Sequence, residues 1–196
     1  MNKRIVVMAK RPELGLVKTR LAATMGNDKA LSIYRVLLQH TLQCTEPFEG
    51  VVYWTGKGDT PNTLLDSSEQ SNGDLGHRMS SAIEMEQNDR SGVVVIGTDC
   101  PGLSRDILNL AMAVLERNDV VLGPTFDGGY YLIGMKKLHM ELFEQMPWST
   151  ASVFQLSLDR CRKMGLSVAT LPMLSDIDTE EDYIHQQKHY DWLRAI

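Results

Sequence analysis

The sequence predicts an α/β protein, an α/β sandwich with a mostly parallel sheet. Short apolar runs rich in valine and isoleucine alternate about five times with longer segments that repeat apolar residues at helical spacing. The short runs are apolar throughout, which is typical of strands that are buried on both faces. The length of 196 residues suits one domain, predicted over 1–196.

The first quarter of the chain contains two predicted strands and two predicted helices. Residues 5–9 (IVVMA) are apolar and partly β-branched, and they predict the first strand. A loop with proline and glycine follows, and then a short helix over 19–24. Residues 28–44 repeat apolar side chains on one helical face, and residues 50–55 (GVVYWT) predict the second strand.

The second quarter begins with a polar stretch. Residues 56–72 are rich in turn formers, and their one apolar pair, Leu64-Leu65, fits a short helix or a short strand equally well. Residues 73–86 open with turn residues and continue as an amphipathic helix. The apolar run GVVVI starts a strand that leads into a loop over 92–103, and Ser104 is a favourable N-cap for the next helix.

The last part of the chain continues the alternation. Residues 119–124 predict a strand, and residues 128–135 follow so closely that they predict a strand pairing back beside it. The remaining predicted elements are helices at 138–145, 150–164 and 179–194 and a strand at 166–171. In parallel sheets ligands bind beyond the carboxyl ends of the strands, so the segments that follow strands are the candidates for a site.

Composition and charge exclude several classes of function. The chain is 43% hydrophobic and 23% charged with a net charge of −5, which is typical of a globular protein and argues against general nucleic-acid binding. Its three cysteines are Cys44, Cys100 and Cys161. They lie far apart and form no CxxC spacing, so they predict neither a zinc site nor disulfides and favour a reducing, cytoplasmic location. No apolar run is long enough to span a membrane.

The opening segment is basic in an acidic protein. Its first 20 residues carry six lysines and arginines against the single acid Glu13, which predicts a small anionic ligand bound nearby. The loop resembles a P-loop only superficially, because that motif would need glycine at positions 12 and 17. A glycine-containing loop that leads into a helix still presents free N–H groups to a phosphate, and Lys18 and Arg20 add charge. The alternative is a solvated basic loop.

Carboxylates follow two of the predicted strands. Asp99 ends the run VVVIGTD, where it would suit Mg²⁺ or Mn²⁺, the alternative being an Asx-turn. Asp176 and Asp178 alternate along an extended segment, and either one is a candidate for the same cation; the acidic run that follows them is also favourable as a helix cap. Cys100 is a weaker candidate for a nucleophile, because no histidine follows a strand in a comparable position.

A double glycine follows the strand at 119–124. It would allow close approach to a ligand, with Asp127 orienting a hydroxyl group, or it would simply form a hairpin turn.

Six motifs, taken in order, resemble a known family. They are AKRPELGLVKTRLA, GDLGHRM, VIGTDCPGL, LGPTFDGGYYLIG, PWST and DIDTEED. Together they are similar to an uncharacterised bacterial family of nucleotide-diphospho-sugar transferases with the glycosyltransferase A fold, often labelled glycosyltransferases, of which some members are linked to arsenosugar biosynthesis. The resemblance covers nearly the whole chain. More distantly, it extends to 2-phospho-lactate guanylyltransferase and the molybdenum-cofactor nucleotidyltransferases.

The resemblance implies a three-layer, Rossmann-like α/β/α sandwich that holds a nucleotide and a divalent cation, Mg²⁺ or Mn²⁺, and it implies a set of site residues. Asp99 and Asp178 would bind the metal, and Asp99, Asp127, Lys18 and Arg20 would be catalytic. The implied nucleotide-binding residues are Lys10, Lys18, Arg20, Gly73, Asp74, Gly76, Arg78 and Asp99. The implied acceptor-binding residues are Asp127, Gly128, Gly129, Tyr130 and Trp148.

The expected function is a metal-dependent glycosyltransferase that moves a sugar from a nucleotide diphosphate to a small-molecule acceptor. A nucleotidyltransferase that joins an NTP to a phosphorylated small molecule is the alternative. The chain lacks the GxGxRM-type loop of such enzymes, which argues against nucleotidyl transfer, and it also lacks the DxD pair of many glycosyltransferases, which weakens the first interpretation. A catalytically inactive, nucleotide-binding regulatory protein is the third possibility.

Overall fold

The computed structural model describes residues 2–88 and 90–196. Within them one sheet has the strand order β3-β2-β1-β4-β6-β5-β7. The strands are β1 (Lys3–Lys10), β2 (Gly50–Thr55), β3 (Asp66–Glu69), β4 (Gly92–Ile96), β5 (Val120–Pro124), β6 (Tyr130–Met135) and β7 (Val168–Thr170). Only β6 runs antiparallel to its neighbours in this part of the chain. The predicted α/β class with a mostly parallel sheet is therefore confirmed.

Helices cover both faces of the sheet. They are α1 (Thr19–Met25), α2 (Asn27–Thr45), α3 (Leu75–Gln87), α4 (Arg105–Val114), α5 (Val153–Lys163) and α6 (Glu180–Gln186). The helices α2 and α4 pack on one face, and α3 and α5 pack on the other. Across residues 2–88 and 90–196, none of the helices is long and apolar enough to cross a membrane.

The central strand β1 shows how the layers are built. Its odd-numbered residues Ile5 and Val7 pack in the core beneath α2, whereas Val6 packs in the core beneath α3. All three are completely buried. Because successive side chains of a strand point to opposite faces, only a continuously apolar run can fill both cores, which is why this strand was recognisable in the sequence.

The strand β1 is longer than its neighbour β4. Pairing between them ends at Val7 and Ile96, although β1 continues to Lys10 and pairs with β2 up to Thr55. The last three residues of β1 therefore lack a strand partner on the β4 side. This notch lies at the carboxyl ends of the central parallel strands, where a ligand site is expected.

Two predicted helices are wrong or too long. Residues 138–145 form only a 3₁₀ turn, Met140–Leu142, and the left-handed backbone of Gln145 (φ 48°) prevents its continuation. The last helix ends at Gln186 instead of 194, and a separate 3₁₀ turn covers Asp191–Ala195. The extended backbone of Tyr190 separates the two, and the Tyr183 hydroxyl donates to the Leu193 carbonyl across the bend.

The undecided segment around Leu64-Leu65 leads into the edge strand β3. Leu65 is buried, whereas Leu64 is almost fully exposed. The strand itself has the sequence DSSE and is mostly exposed, so it lacks the apolar pattern that marks an interior strand.

Candidate active site

A cleft of about 440 Å³ opens at the carboxyl ends of β1, β2 and β4. It occupies the notch beside the end of β1, and residues at the start of the antiparallel strand β6 form part of its wall. Among the residues predicted to bind a nucleotide or a metal, those that line it are Lys10, Lys18, Arg20, Arg78, Asp99 and Asp178. The structure thus brings together side chains that are up to 168 positions apart in the sequence, from Lys10 to Asp178.

The Lys18 ammonium lies between the two predicted metal ligands. Its Nζ is 2.6 Å from Asp99 Oδ1 and 3.1 Å from Asp178 Oδ1, and it donates to the carbonyl of Ile177 at 2.6 Å. The three partners match the three N–H donors of an ammonium. The lysine side chain is only 5% exposed. Burial opposes its charge, but the carboxylates of Asp99 and Asp178 outweigh that effect and raise the pKa of Lys18, so it stays protonated.

The backbone at Lys18 directs its side chain inwards. Lys18 is the N-cap of α1 and adopts the left-handed conformation (φ 47°), which is unfavourable for a residue with a side chain. The ion pairs with Asp99 and Asp178 hold this conformation in place.

Local hydrogen bonds place Asp178 beside Asp99. The Ile177 N–H donates to the carbonyl of Asp99 at 2.9 Å, which ties the two strand-end segments together. Two residues after Ile177, Thr179 forms a capping box with Asp182 at the start of α6. The Asp178 N–H also donates to the Asp182 carboxylate at 3.1 Å. The acidic run of the sequence is thus a helix cap, and it also fixes the position of Asp178.

Arg20 completes this cluster from the surface. Its Nη1 is 3.1 Å from Asp178 Oδ2, and its side chain is 70% exposed. Of the two alternating aspartates, Asp178 therefore faces both cationic side chains, and it is the one that shares Lys18 with Asp99.

The two carboxylates fit a divalent cation. Asp99 and Asp178 already converge on one positive charge, and Mg²⁺ or Mn²⁺ is commonly bound by one or two carboxylates while water and substrate phosphates complete the coordination. No group of three or more His, Cys, Asp or Glu side chains that could hold a metal occurs among residues 2–88 and 90–196. A cation here would therefore need further ligands from a substrate.

The basic residues of the opening segment, whose charge predicts a nearby anionic ligand, do not all meet at the cleft. Lys3 and Arg4 lie at the other end of β1, where Lys3 pairs with Glu116 and Arg4 with three carboxylates. Arg11 forms an ion pair with Glu69 at the end of β3. For Lys3 and Arg4 the reason is geometric, because an eight-residue strand separates its ends by roughly 25 Å.

The residues predicted beside the base or ribose lie in and around the first turn of α3. Asp74 is the N-cap of this helix and accepts from the His77 N–H at 2.8 Å. Gly76 packs against Trp148, where a Cβ atom would lie 2.7 Å from the indole ring. The carbonyl of Gly73 accepts from Arg78 Nε at 3.0 Å, and of these four residues it is Arg78 that lines the cleft. Their role in nucleotide binding stays a prediction.

A smaller cavity of about 190 Å³ adjoins the cleft and shares Asp99, Tyr130 and Tyr131 with it. Of the residues predicted to bind the acceptor, its lining includes Asp127, Gly129, Tyr130 and Trp148. The rings of Tyr130 and Trp148 meet edge to face, with their centroids 6.3 Å apart.

The double glycine lies in the β5–β6 hairpin turn, and Gly129 also borders this cavity. Asp127 Oδ1 accepts from the Thr125 hydroxyl at 2.5 Å and from the Gly129 N–H at 2.9 Å. Gly128 has a positive φ of 89°, and a Cβ atom there would lie 2.1 Å from the carbonyl oxygen of Ala151. Only glycine fits at this close approach to the backbone of Ala151, which agrees with the hairpin-turn interpretation. Close approach to a ligand and the role of Asp127 stay predictions.

Sequence reasoning did not assign a role to Tyr34 or Gln70, which support the cleft. The Tyr34 hydroxyl accepts from the Lys10 N–H at 2.9 Å and donates to the Lys10 carbonyl at 2.7 Å. Burial, followed by the charge of Asp99, raises the pKa of Tyr34 to about 12. Gln70 Nε2 donates to the carbonyls of Ala9 and Tyr53. Tyr34 belongs to the apolar helical repeat of α2, so the sequence pattern indicates a core residue and gives no sign that it lies at the cleft.

Asp176 and Cys100 also lie at the smaller cavity. Burial, with the charges of Asp127 and Asp178, raises the pKa of Asp176 to about 6. Burial raises the pKa of the Cys100 thiol well above its ordinary value, which disfavours the thiolate and opposes a nucleophilic role.

Comparisons with known proteins agree with this architecture. The model of the family described as "Uncharacterized protein conserved in bacteria (DUF2064)" matches residues 35–150. No curated protein matches the chain. A solved structure from Desulfovibrio desulfuricans G20, provisionally named a nucleotide-diphospho-sugar transferase, is 32% identical over 97% of this chain and 89% of that one, with a TM-score of 0.89.

Two further solved structures are similar in fold alone. Glucosyl-3-phosphoglycerate synthase from Mycobacterium tuberculosis, in complex with Mn²⁺, UDP and glucosyl-3-phosphoglycerate, is 12% identical, with a TM-score of 0.55 over 96% of this chain and 76% of that one. The 4-diphosphocytidyl-2C-methyl-D-erythritol synthase from Anaerococcus prevotii DSM 20548 is 11% identical, with a TM-score of 0.58 over 96% of this chain and 97% of that one.

Proposed function

The chain belongs to the DUF2064 family of bacterial proteins, and from its site we propose that it is a metal-dependent transferase that moves a sugar from a nucleotide diphosphate to a small-molecule acceptor. One observation carries the proposal: Asp99 and Asp178 converge on a single cationic position at the edge of the cleft. The resemblance to nucleotide-diphospho-sugar transferases supports this proposal. The name of the 32% identical Desulfovibrio protein agrees with that resemblance.

The charges around the cleft suit a diphosphate. Four cationic side chains, those of Lys10, Lys18, Arg20 and Arg78, line it, against the carboxylates of Asp99 and Asp178. A nucleotide diphosphate would supply the negative charge that this set lacks, and it would also supply the oxygen ligands that two aspartates alone do not give a metal.

The proposed reaction balances as a substitution at the sugar. A hydroxyl oxygen of the acceptor bonds to the anomeric carbon, and the bond from that carbon to the diphosphate oxygen breaks. The hydroxyl proton passes to a carboxylate, for which Asp127 is the candidate, and the nucleoside diphosphate leaves. A cation held by Asp99 and Asp178 would offset charge on the leaving diphosphate. Lys18, once a cation had replaced its ammonium between Asp99 and Asp178, and Arg20 would donate hydrogen bonds to the same oxygens.

Calorimetric titration tests the proposal directly. The protein is titrated with a panel of nucleotide-diphosphate sugars and NTPs, with and without Mn²⁺. We expect a nucleotide-diphosphate sugar to bind in a Mn²⁺-dependent manner and to be turned over when acceptors are supplied. Failure of every nucleotide to bind under both conditions would overturn the whole interpretation. Metal-dependent binding without turnover would instead support a regulatory, nucleotide-binding protein.

Nucleotidyl transfer is the second candidate, because the fold of the Anaerococcus synthase is similar over nearly the whole chain. In that reaction a phosphorylated acceptor attacks the α-phosphate of an NTP, and pyrophosphate leaves. Release of pyrophosphate from an NTP in the presence of phosphorylated acceptors would favour this candidate over sugar transfer.

A further inference from the structure

The smaller cavity beside the cleft has an unusual charge. Three carboxylates line it, those of Asp99, Asp127 and Asp176, and its lining includes no lysine, arginine or histidine. The neighbouring cleft, in contrast, has more cationic than anionic side chains. Two adjoining compartments of opposite charge therefore meet at Asp99.

Two of these carboxylates have no cationic partner within residues 2–88 and 90–196. Asp127 receives hydrogen bonds only from the Thr125 hydroxyl and the Gly129 N–H, both through Oδ1, so its second oxygen remains available. Lys18 pairs with Asp99 and Asp178 and leaves Asp176 without an ion pair. The negative charge of the cavity is consequently not neutralised by the protein itself.

Backbone donors do not reverse this charge. The helix α5 begins at the cavity wall with Val153, and a helix start often binds anions. Here, however, the Phe154 N–H donates to the carbonyl of Gly128 at 2.9 Å and the Val153 N–H to that of Thr150 at 3.4 Å. These amides are occupied, so the wall offers little to a phosphate group.

The remaining surface suits a ring with hydroxyl groups. Tyr130, Tyr131 and Trp148 give aromatic walls, and Thr125, Ser149 and Thr150 add hydroxyls. Among the described residues, the Tyr130 hydroxyl and Trp148 Nε1 are buried without a hydrogen-bond partner. A buried polar group without a partner is unfavourable, and a ligand hydroxyl or a water that reached it would remove that cost.

We infer that the smaller cavity is the acceptor subsite and that it takes a neutral or cationic polyhydroxylated compound, such as a sugar or an amino sugar, and excludes phosphorylated ones. The inference rests on the proposed function and deepens it. Carboxylates accept hydrogen bonds from hydroxyl and ammonium donors, and aromatic faces attract cations, whereas a phosphate would meet the unpaired negative charges of Asp127 and Asp176. Sugar transfer is thereby favoured over nucleotidyl transfer to a phosphorylated acceptor.

The fluorescence of Trp148 can report the charge of the cavity without knowledge of the acceptor. Trp54 is completely buried and inaccessible to ions, so Trp192→Phe leaves Trp148 as the tryptophan that quenchers reach. In this variant, quenching by caesium, acrylamide and iodide is compared at constant ionic strength. The quenching constants of caesium and of iodide are each divided by that of acrylamide. We expect the normalised value for caesium to exceed that for iodide at least about twofold, because the local potential concentrates cations.

Two further variants make the result decisive. The Trp192→Phe/Trp148→Phe double variant gives the background signal to be subtracted. Asp127→Asn with Asp176→Asn, added to Trp192→Phe, should lower the caesium-to-iodide ratio towards that of free tryptophan, whereas the matched exposed change Glu84→Gln on α3 should not. Iodide quenching as strong as that by caesium, or a ratio unaffected by the two Asn changes, would overturn the inference.

The outcome is separable from the fate of the proposed function. Nucleotide binding, measured by calorimetry, concerns the cleft, whereas quenching of Trp148 concerns the cavity. If a nucleotide-diphosphate sugar binds but iodide is not disfavoured, only the assignment of the acceptor class fails. If no nucleotide binds although the cavity prefers caesium, the proposed function fails.

Discussion

Two buried cations sit at opposite ends of β1, and the comparison between them separates a structural ion cluster from a candidate functional one. At the amino end, Arg4 contacts Glu49 and Glu86 at 3.1 and 2.8 Å, and also Asp66. At the carboxyl end, Lys18 contacts Asp99 and Asp178. Both side chains are at least 90% buried, and in both the carboxylates outweigh the effect of burial and raise the pKa of the cation.

The difference lies in what surrounds the charges. Arg4 has one carboxylate for each of its three nitrogens, and these lie just before β2, in β3 and in α3. Arg4 lines neither the cleft nor the smaller cavity. Lys18 has only two carboxylates, and its cluster opens into a cleft of about 440 Å³. A carboxylate pair beside a cavity leaves room for another cation to replace the ammonium, whereas each nitrogen of the Arg4 guanidinium faces its own carboxylate and neither cavity adjoins it.

Asp99→Asn gives the largest expected effect and tests the functional cluster. We expect nucleotide affinity in the presence of Mn²⁺ to fall by about 100-fold or more, because changes to groups that merely support metal ligands already cost about 10- to 100-fold. The dependence of binding on Mn²⁺ should also disappear. Calorimetry measures both quantities, and Glu84→Gln is the matched control. Unchanged metal dependence would remove Asp99 from its assigned role.

Arg4→Met tests the structural cluster. Removing one partner of a buried ion pair costs about 3–5 kcal/mol. Here Glu49 and Asp66 are 45% and 72% exposed, so water would solvate them and we expect a loss of about 2 kcal/mol in the free energy of unfolding, measured in urea. Nucleotide affinity of the folded protein should not change. The control is Arg162→Met, an exposed pair with Asp159, for which we expect less than about 0.5 kcal/mol. Equal losses in the two variants would contradict the assignment.

Lys18→Met should act in opposite directions on two ligands. Without its ammonium, Asp99 and Asp178 lose the cation that competes with a metal, so we expect affinity for Mn²⁺ alone to rise about tenfold, or 1.4 kcal/mol. Affinity for a nucleotide diphosphate should fall, because a phosphate donor is lost. Both are measured by calorimetry, with the exposed Lys188→Met as the control. A fall in affinity for Mn²⁺ would show that the lysine does not occupy the cation position.

Thr179→Ala gives the smallest expected effect and tests how the functional cluster is held. Loss of this N-cap should cost about 1 kcal/mol of stability, and the same loss is expected for Ser104→Ala, the N-cap of α4. Only the Thr179 variant should also weaken Mn²⁺-dependent nucleotide binding, by about threefold, because its capping box adjoins Asp178. Urea unfolding and calorimetry measure the two effects. Equal nucleotide affinity in both variants would show that the capping box does not position Asp178.

The sequence predicts the interior of the fold well and its margins poorly. The strands β1, β2, β4 and β5 were recognisable because burial on both faces requires continuous apolar runs. The strand β3 was not, since a polar edge strand carries no such pattern. The prediction of a helix at 138–145 was wrong. Leu142 lies in a 3₁₀ turn and Phe143 directly after it, and both are buried there without a regular helix, although their spacing suggests a longer element.

The candidate site was predictable in its members but not in its connections. Residues that follow strands meet at one edge of a parallel sheet, which is why Lys18, Asp99 and Asp178 could be named together. Which aspartate faces Lys18 was not predictable, because it depends on the hydrogen bond from Ile177 to Asp99. Nor does any local signal show that Arg4 belongs to a different cluster, since its partners lie 45 to 82 positions away.

The notch beside the end of β1 suggests how this architecture can be altered. The cleft exists because β1 extends three residues beyond its pairing with β4. The Tyr34 hydroxyl bonds to both the N–H and the carbonyl of the Lys10 backbone, at the position where a further strand residue would otherwise pair. The depth of the cleft is thus set by a difference in strand length and not by long loops. A designer who extended β4 by two residues would close the pocket, and one who shortened it would deepen the pocket, while both packed faces of the sheet stayed intact.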